Sequence, residues 1–366
     1  MASRLRRQVD NLRAALDWAL SRRGDVVLGI ALTIASIPFW MYLSLVEECR
    51  RHVDRALAAL AKNDGGEPRQ EMKLKAALGS ALVHQRGSGP DIAATRTRAL
   101  AIAEKLGDIE YQLRALSGPS DQAMRVVRTN IEDALAIGHA LSLCSALANA
   151  ACPLSIMTGD LVMAERYVGM LLDHTLRHGL AVWHAWGRCF QGMLLIKRGD
   201  SQISLRSLRE ALDEFPYSGF ALRYSAFRTE LAESLGRAGE VATALAAIDE
   251  ALGRAERNEE RWCISEMLRI KGELEWLRAA PAEVAEALYI ESIYWARRQD
   301  ALSWELRTAT SLARLQAELW RAQEARATLE TVYGQFTEGF GTSDLITAKT
   351  LLNKLDHKNG SFIRPE

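Results

Sequence analysis

The chain has 366 residues, which is too long for one compact core and suits either two domains or an extended repeat array. Its 46 Lys and Arg residues balance its 46 Asp and Glu residues. Because a stand-alone nucleic-acid-binding protein usually carries a clear basic excess, this balance argues against direct binding of nucleic acid. Hydrophobic residues make up 48% of the chain, whereas the alternating strands and Asn-Gly turns of a sheet protein are missing. The composition predicts an all-α protein.

The cysteines are scattered through helical patterns at Cys49, Cys144, Cys152, Cys189 and Cys263. Their number is odd and no Cys-x-x-Cys pair occurs, which fits neither a disulfide framework nor a zinc site. Reduced cysteines in a helical core are typical of proteins from a reducing compartment. We therefore expect a cytoplasmic protein.

The N-terminal segment begins with an amphipathic helix and continues with an apolar stretch. Residues Val26 to Val46 carry no charge, and their number meets the length criterion for a membrane span. Pro38 and the hydroxyl groups of Thr33 and Ser36 favour a buried helix that ends near a bend. We expect no contact with a membrane, and a membrane-anchored adaptor that uses Val26–Val46 is the alternative.

Turn-forming residues recur about every 40 positions through the rest of the chain. They lie at Gly118-Pro119, Gly159-Asp160, Gly199-Asp200, Gly239-Glu240, Ala279–Pro281 and Trp320-Arg321. A glycine can end one helix in the left-handed conformation, and the acidic residue after it can cap the next helix. This spacing predicts pairs of helices joined by short turns.

The residues beside these turns keep the same register. Seven positions before the turns lie the small residues Cys152, Gly192, Ala232, Gly272 and Ala313, and about five positions after them lie Ala164, Ser204, Ala244, Ala285 and Ala325. Four positions further on are Val168, Leu208, Ile248, Tyr289 and Leu329. Antiparallel helices approach closely where side chains are small, and a large apolar residue fills the groove beside the contact. The pattern is similar to that of tetratricopeptide (TPR) repeats, with a longer period.

We therefore predict a TPR-like superhelix, an α-solenoid, with repeats of about 40 residues. Breaks at Asn63–Pro68 and Arg86–Pro90 separate earlier helices. The expected domains are an N-terminal helical cap over residues 1–66, TPR-like repeats over 67–341, and a capping helix with a frayed tail over 342–366.

Several local runs resemble the C-terminal helical region of bacterial STAND-type transcriptional regulators. They are Val9–Trp18, Glu47–Arg51, Arg261–Cys263, Leu268–Glu273, Ser303–Arg307 and Val332–Phe340. In that family a winged-helix domain and an NTPase module precede a TPR-like arm. The chain has no Gly-Lys dipeptide and hence no P-loop of the GxxxxGK[ST] type. The resemblance therefore implies only the sensor or scaffold arm, with an NTPase/winged-helix regulator as a partner.

The histidines His174, His178 and His184 have the spacing of the three zinc ligands in a metzincin metalloprotease. The general base that should follow the first histidine is missing, because Thr175 occupies that position. We predict no catalytic residue, no metal and no cofactor. A metal-dependent hydrolase built on the three histidines is the alternative.

The expected function is binding of a protein, a peptide or a small effector without catalysis. In TPR superhelices the first helix of each pair lines the groove that holds the partner. The register places seven residues at this groove: Trp186, Glu233, Glu266, Arg269, Glu273, Arg307 and Arg314.

Overall fold

The computed structural model describes residues 2–21, 23–42, 45–62, 67–86, 90–106, 121–138, 140–199, 201–218, 223–258 and 260–360. Across these ranges the chain forms helices and turns and no strand, so the all-α, TPR-like helical-repeat fold is confirmed. The expected turn at Gly118-Pro119, most of the breaks after Asn63 and Arg86, and the last six residues of the tail lie outside the described residues. The chain divides into two compact units, Met1–Ser117 and Gly118–Glu366. The three predicted domains stay a prediction.

The described residues of unit 1 form five helices. They are α1 (Ala2–Ala19), α2 (Val26–Tyr42), α3 (Val46–Leu60), α4 (Pro68–Arg86) and α5 (Pro90–Leu106). The core of the first four helices contains Leu16, Trp40, Val53 and Leu74. The ring of Trp40 stacks on that of His52 at a centroid distance of 5.2 Å. The apolar helix α2 thus contributes buried side chains to this unit.

Two segments bear on the alternative of a membrane-anchored adaptor. Within the described residues, Ala140–Thr158 is apolar and long enough to cross a membrane, and 44% of its apolar window is buried. The helix Val26–Met41, which covers most of the uncharged stretch Val26–Val46, falls short of this length. Core helices of soluble proteins meet the same criteria of length and composition.

Unit 2 contains the repeat array. Its helices are α6 (Asp121–Ile137), α7 (Ala140–Ala146), α8 (Cys152–Thr158), α9 (Leu161–His178), α10 (Ala181–Lys197), α11 (Ser201–Ser218), α12 (Tyr224–Arg237), α13 (Val241–Asn258), α14 (Ile264–Leu277), α15 (Ala282–Arg298), α16 (Leu302–Glu318), α17 (Ala322–Tyr333) and α18 (Ser343–Gly360). A π-helical turn, Leu147–Ala151, connects α7 to α8. The first helices α10, α12, α14 and α16 contact one another in sequence, and each also packs against its second helix, α11, α13, α15 or α17. They form one layer, which we call the first-helix layer.

The turns inside the pairs recur as the sequence predicts. Gly159, Gly199 and Gly239 have φ angles of 80°, 91° and 86°, in the left-handed region. Ala279 and Trp320 take the equivalent places with φ angles of 61° and 63°. Asp160 accepts a hydrogen bond from the amide of Met163 at 3.1 Å and caps α9. The same backbone turn therefore persists in the last two pairs without a glycine.

The predicted small-to-large contacts join the helices of each pair. A Cβ atom on Gly192 would lie 2.8 Å from Cβ and 3.0 Å from Cα of Leu208, so α10 and α11 touch there backbone to backbone. A Cβ atom on Gly272 would lie 2.7 Å from the ring of Tyr289 on α15. The remaining small and large residues of the pattern are buried; Ser204 is left out of this comparison because the structure does not describe its side chain. The small and large residues at fixed distances from the turns thus form the contacts between the two helices of each pair.

Candidate functional site

A series of ion pairs runs across the first-helix layer to α18. Its members are Lys197 on α10, Glu230, Glu233 and Arg237 on α12, Glu266, Arg269 and Glu273 on α14, Arg307 on α16 and Asp344 on α18. The guanidinium of Arg269 lies 2.8 Å from Glu266, 3.4 Å from Glu233 and 2.6 Å from Glu273. Arg307 joins Glu266 at 3.0 Å to Asp344 at 2.7 Å. We call these nine residues the charge ladder, which links consecutive helices through side chains of opposite sign.

The centre of the charge ladder is buried and neutralised from within. The side chain of Arg269 is 8% exposed and that of Glu266 is 12% exposed. Burial alone would raise the pKa of Glu266, but the guanidinium groups of Arg269 and Arg307 outweigh it and hold that pKa well below its usual range. Burial likewise opposes the charge of Arg269, yet the carboxylates around it raise its pKa. Each buried charge of the centre therefore has a partner inside the protein.

The N-terminal ends of the same helices carry four tryptophans and one arginine. They are Trp183 and Trp186 on α10, Arg223 just before α12, Trp262 in a 3-10 turn before α14, and Trp304 on α16. The ring centroids of Trp183 and Trp186 are 5.6 Å apart, and those of Trp262 and Trp304 are 6.0 Å apart. The Cζ atom of Arg223 lies between the two pairs, 5.8 Å from the Trp186 ring and 5.5 Å from the Trp262 ring. We call these five residues the aromatic row.

The aromatic row and the charge ladder share one face of the first-helix layer. Trp262 precedes Glu266 by four residues, and Trp304 precedes Arg307 by three. Side chains three or four residues apart on a helix point to the same side. The face therefore presents flat aromatic surface at one end of the helices and paired charges toward their middle.

Arg223 has an environment unlike that of the ladder arginines. Its Nη2 atom donates a hydrogen bond of 3.0 Å to the carbonyl oxygen of Asn149, in the π-helical turn. No acidic side chain among the described residues forms an ion pair with it. The buried carboxylate of Glu260 is engaged elsewhere, because it accepts a hydrogen bond from Ser225 at 3.0 Å and pairs with Arg254 at 3.4 Å. Burial lowers the pKa of Arg223 to about 10.

The structure brings together five of the seven residues predicted for the groove. Glu233, Glu266, Arg269, Glu273 and Arg307 all belong to the charge ladder. Trp186 belongs to the aromatic row, but it is 1% exposed and packs edge-on against Phe227, so it is a core residue beneath the surface. Arg314 is exposed on α16, apart from the ladder. Contact of these residues with a partner stays a prediction.

Other residues of this face escaped the sequence analysis. Arg223 lies nine residues before the small residue Ala232, just as Trp183 lies nine residues before Gly192 in the preceding pair. Lys197 and Arg237 lie five residues after Gly192 and Ala232, respectively. The register could therefore have found these three. Asp344 gave no such signal, because it belongs to the helix after the last pair.

The three histidines with metzincin spacing do not converge on a metal site. His174 Nε2 lies 3.2 Å from the carbonyl oxygen of Ala140, and its ring packs against His178 at a centroid distance of 4.4 Å. His184 Nδ1 lies 3.0 Å from the hydroxyl of Thr175. In the part of the chain that the structure describes, no group of three or more His, Cys, Asp or Glu side chains could hold a metal ion.

The fold and this face define a helical-repeat protein of the TPR-like class. No family model and no curated protein matches the sequence. Among solved structures, a Rap protein complexed with competence and sporulation factor aligns over 90% of this chain and 98% of its own, with 10% identity and a TM-score of 0.54. The apo form of RapI aligns over 87% and 99%, with 12% identity and a TM-score of 0.41. The first of these alignments shows a shared fold.

Proposed function

We propose that this chain is a non-enzymatic module that binds a protein or peptide on the face formed by the aromatic row and the charge ladder. The observation that carries the proposal is the continuity of this face across four first helices. An extended partner can contact several repeats at once on such a surface, as is usual for solenoid proteins.

The chemistry of the face suits recognition of a peptide chain. Trp183, Trp262 and Trp304 are only partly buried, and tryptophan and arginine are enriched among residues that dominate binding energy. The ladder adds acceptors and donors of both signs, which can bind polar side chains and peptide groups. Aromatic anchors beside mixed charges therefore favour a peptide with both apolar and polar side chains.

The shared fold supports the same reading. The Rap protein of similar fold was solved in complex with competence and sporulation factor, so a solenoid of this type accommodates a bound partner. The local runs similar to STAND-type regulators favour a sensor or scaffold arm of a signalling or transcription regulator, acting beside an NTPase/winged-helix partner. The five cysteines are free and buried, which favours a reducing, cytoplasmic location.

Affinity selection from a peptide pool tests the proposal. The full chain is incubated with short N-acetylated peptides of random sequence, and the bound fraction is isolated by gel filtration and identified by mass spectrometry. We expect enrichment by the unmodified chain and its loss in the double variant Trp262→Ala/Trp304→Ala. The matched control is Trp320→Ala, because Trp320 is 89% exposed at a turn outside the face. A chain that enriches nothing, or a double variant that enriches as well as the unmodified chain, contradicts the proposal.

A further inference from the structure

We infer that Arg223 anchors a carboxylate group of the bound peptide, between the rings of Trp186 and Trp262. The inference rests on the proposed function and assigns a chemical class to one end or one side chain of the ligand. The peptide carboxylate would complete an ion pair that the described part of the chain leaves open.

The first argument is the charge balance of the face. Arg269 has three carboxylates within 3.4 Å, and Arg307 has two within 3.0 Å. Arg223 is half-buried and burial works against its charge, yet its polar contact among the described residues is with the neutral carbonyl of Asn149. A buried cation without an anion is unfavourable, and an anionic ligand would relieve the imbalance.

The second argument is geometric. A guanidinium has five N–H donors in one plane, and it binds a carboxylate through two parallel hydrogen bonds. The rings of Trp186 and Trp262 lie against Arg223, which limits its motion, while its side chain keeps part of its surface open to solvent. One donor is held by Asn149, which fixes the orientation of the group. The remaining donors are thus held in place before a ligand arrives.

The third argument is the backbone that holds Arg223. The accepting carbonyl belongs to the π-helical turn Leu147–Ala151, within the segment between α7 and α8. Single π-helical turns are rare and occur frequently at functional sites. This turn places the carbonyl of Asn149 at the side chain of Arg223, 74 residues later in the chain.

A carboxylate suits the site better than a phosphate group. Among the described residues, Arg223 is the cation that contacts both tryptophan rings, whereas a phosphate group carries up to two negative charges at neutral pH. The single charge of a carboxylate matches Arg223 one to one.

Three pools of short N-acetylated peptides test the inference and identify the source of the carboxylate. The first pool lacks Asp and Glu and has free C-termini, the second has amidated C-termini and one Asp at varied positions, and the third is amidated and lacks Asp and Glu. We expect the full chain to enrich peptides from the first or the second pool about 10-fold or more over the third, as for a charged hydrogen-bonded pair. The preferred pool shows whether a C-terminus or a side chain supplies the group.

Variants of Arg223 complete the test. Arg223→Met should abolish the preference between pools, and Arg223→Lys should keep part of it, because lysine retains the charge without the planar fork. Arg166→Met, at an exposed arginine on α9, should keep the full preference. If Arg223→Met does not fold, Arg223→Lys tests the inference, because it should lose part of the preference between pools; an unchanged preference in this variant contradicts the inference. Equal enrichment from all three pools overturns the inference and leaves the proposed function intact, whereas enrichment from none overturns both.

Discussion

The aromatic row and the charge ladder place arginines in opposite electrostatic environments. Arg269, in the charge ladder, is surrounded by carboxylates that raise its pKa. Arg223, in the aromatic row, is flanked by tryptophan rings, and burial lowers its pKa to about 10. The comparison teaches that burial of a charge does not by itself reveal its role. Arg269 has its ionic partners inside the fold, whereas Arg223, which has no acidic partner among the described residues, is the arginine that we propose binds a carboxylate of a ligand.

The physical reason lies in the cost of removing a charge from water. An intact buried ion pair roughly balances that cost, but removal of one member leaves the other uncompensated. Among the described residues, three carboxylates pair with Arg269, whereas Arg223 donates a hydrogen bond to one carbonyl oxygen. Stability should therefore distinguish the two arginines even before any ligand is known.

The largest effect is expected for Arg269→Met, which leaves Glu233, Glu266 and Glu273 without their central cation. We expect the free energy of unfolding to fall by about 3–5 kcal/mol. Arg223→Met should change it by less than about 1 kcal/mol, because the lost hydrogen bond is offset by relief of an unpaired charge. Urea denaturation followed by circular dichroism measures both. If Arg269→Met lost less unfolding free energy than Arg223→Met, the proposed difference between the two arginines would be wrong.

The next effect concerns the close contacts inside two helix pairs. Gly192→Ala forces a methyl group against the backbone of Leu208, so we expect a loss of about 1–3 kcal/mol. Gly272→Ala should cost less because the ring of Tyr289 can shift. The control is Gly169→Ala, where a methyl group meets nothing within 4 Å and should stabilise α9 by up to about 1 kcal/mol. Thermal unfolding gives the order, and a neutral Gly192→Ala would refute the close contact.

The acid sensitivity of the ladder comes third. The pKa of Glu266 is held below its ordinary value of 4.5 in the folded chain, so the unfolded chain takes up the proton first as the pH falls. The stabilisation is therefore complete above about pH 5 and decreases toward pH 3, by about 1–2 kcal/mol for this group. Urea denaturation at pH 6, 4 and 3 measures how the free energy of unfolding decreases with pH. This decrease should be smaller in Glu266→Gln, and an equal decrease in the two chains would show that Glu266 does not titrate in this way.

The smallest effect is expected at the exposed edge of the ladder. Arg237 pairs with Glu233 at 2.7 Å, but its side chain is 60% exposed. Solvent screens such a pair, so Arg237→Met should cost less than about 0.5 kcal/mol in urea denaturation. A loss as large as that of Arg269→Met would mean that exposure does not set the contribution of a ladder residue.

The sequence predicted the architecture well because the repeat is visible in the regular spacing of turns, small residues and large apolar residues. The contacts of Gly192 with Leu208 and of Gly272 with Tyr289 follow from small and large residues at fixed distances from the turns. The turn at Trp320 could be placed in the same way, although its left-handed conformation without glycine could not be foreseen.

The candidate site was only partly predictable. The register grouped five residues that the structure places together in the charge ladder, since one face of each first helix repeats in sequence. It could not reveal the environment of Arg223, which depends on a carbonyl at Asn149 and on the engagement of Glu260 by other residues. Such pairing is decided by the stacking of helices and not by local spacing.

The most direct test of the account measures stability and selectivity on one preparation of Arg223→Met. Urea denaturation gives the free energy of unfolding, and selection from the three peptide pools gives the preference for carboxylates. We predict that stability stays within about 1 kcal/mol of the unmodified chain while the preference disappears. A large loss of stability together with an unchanged preference for carboxylates would contradict the account.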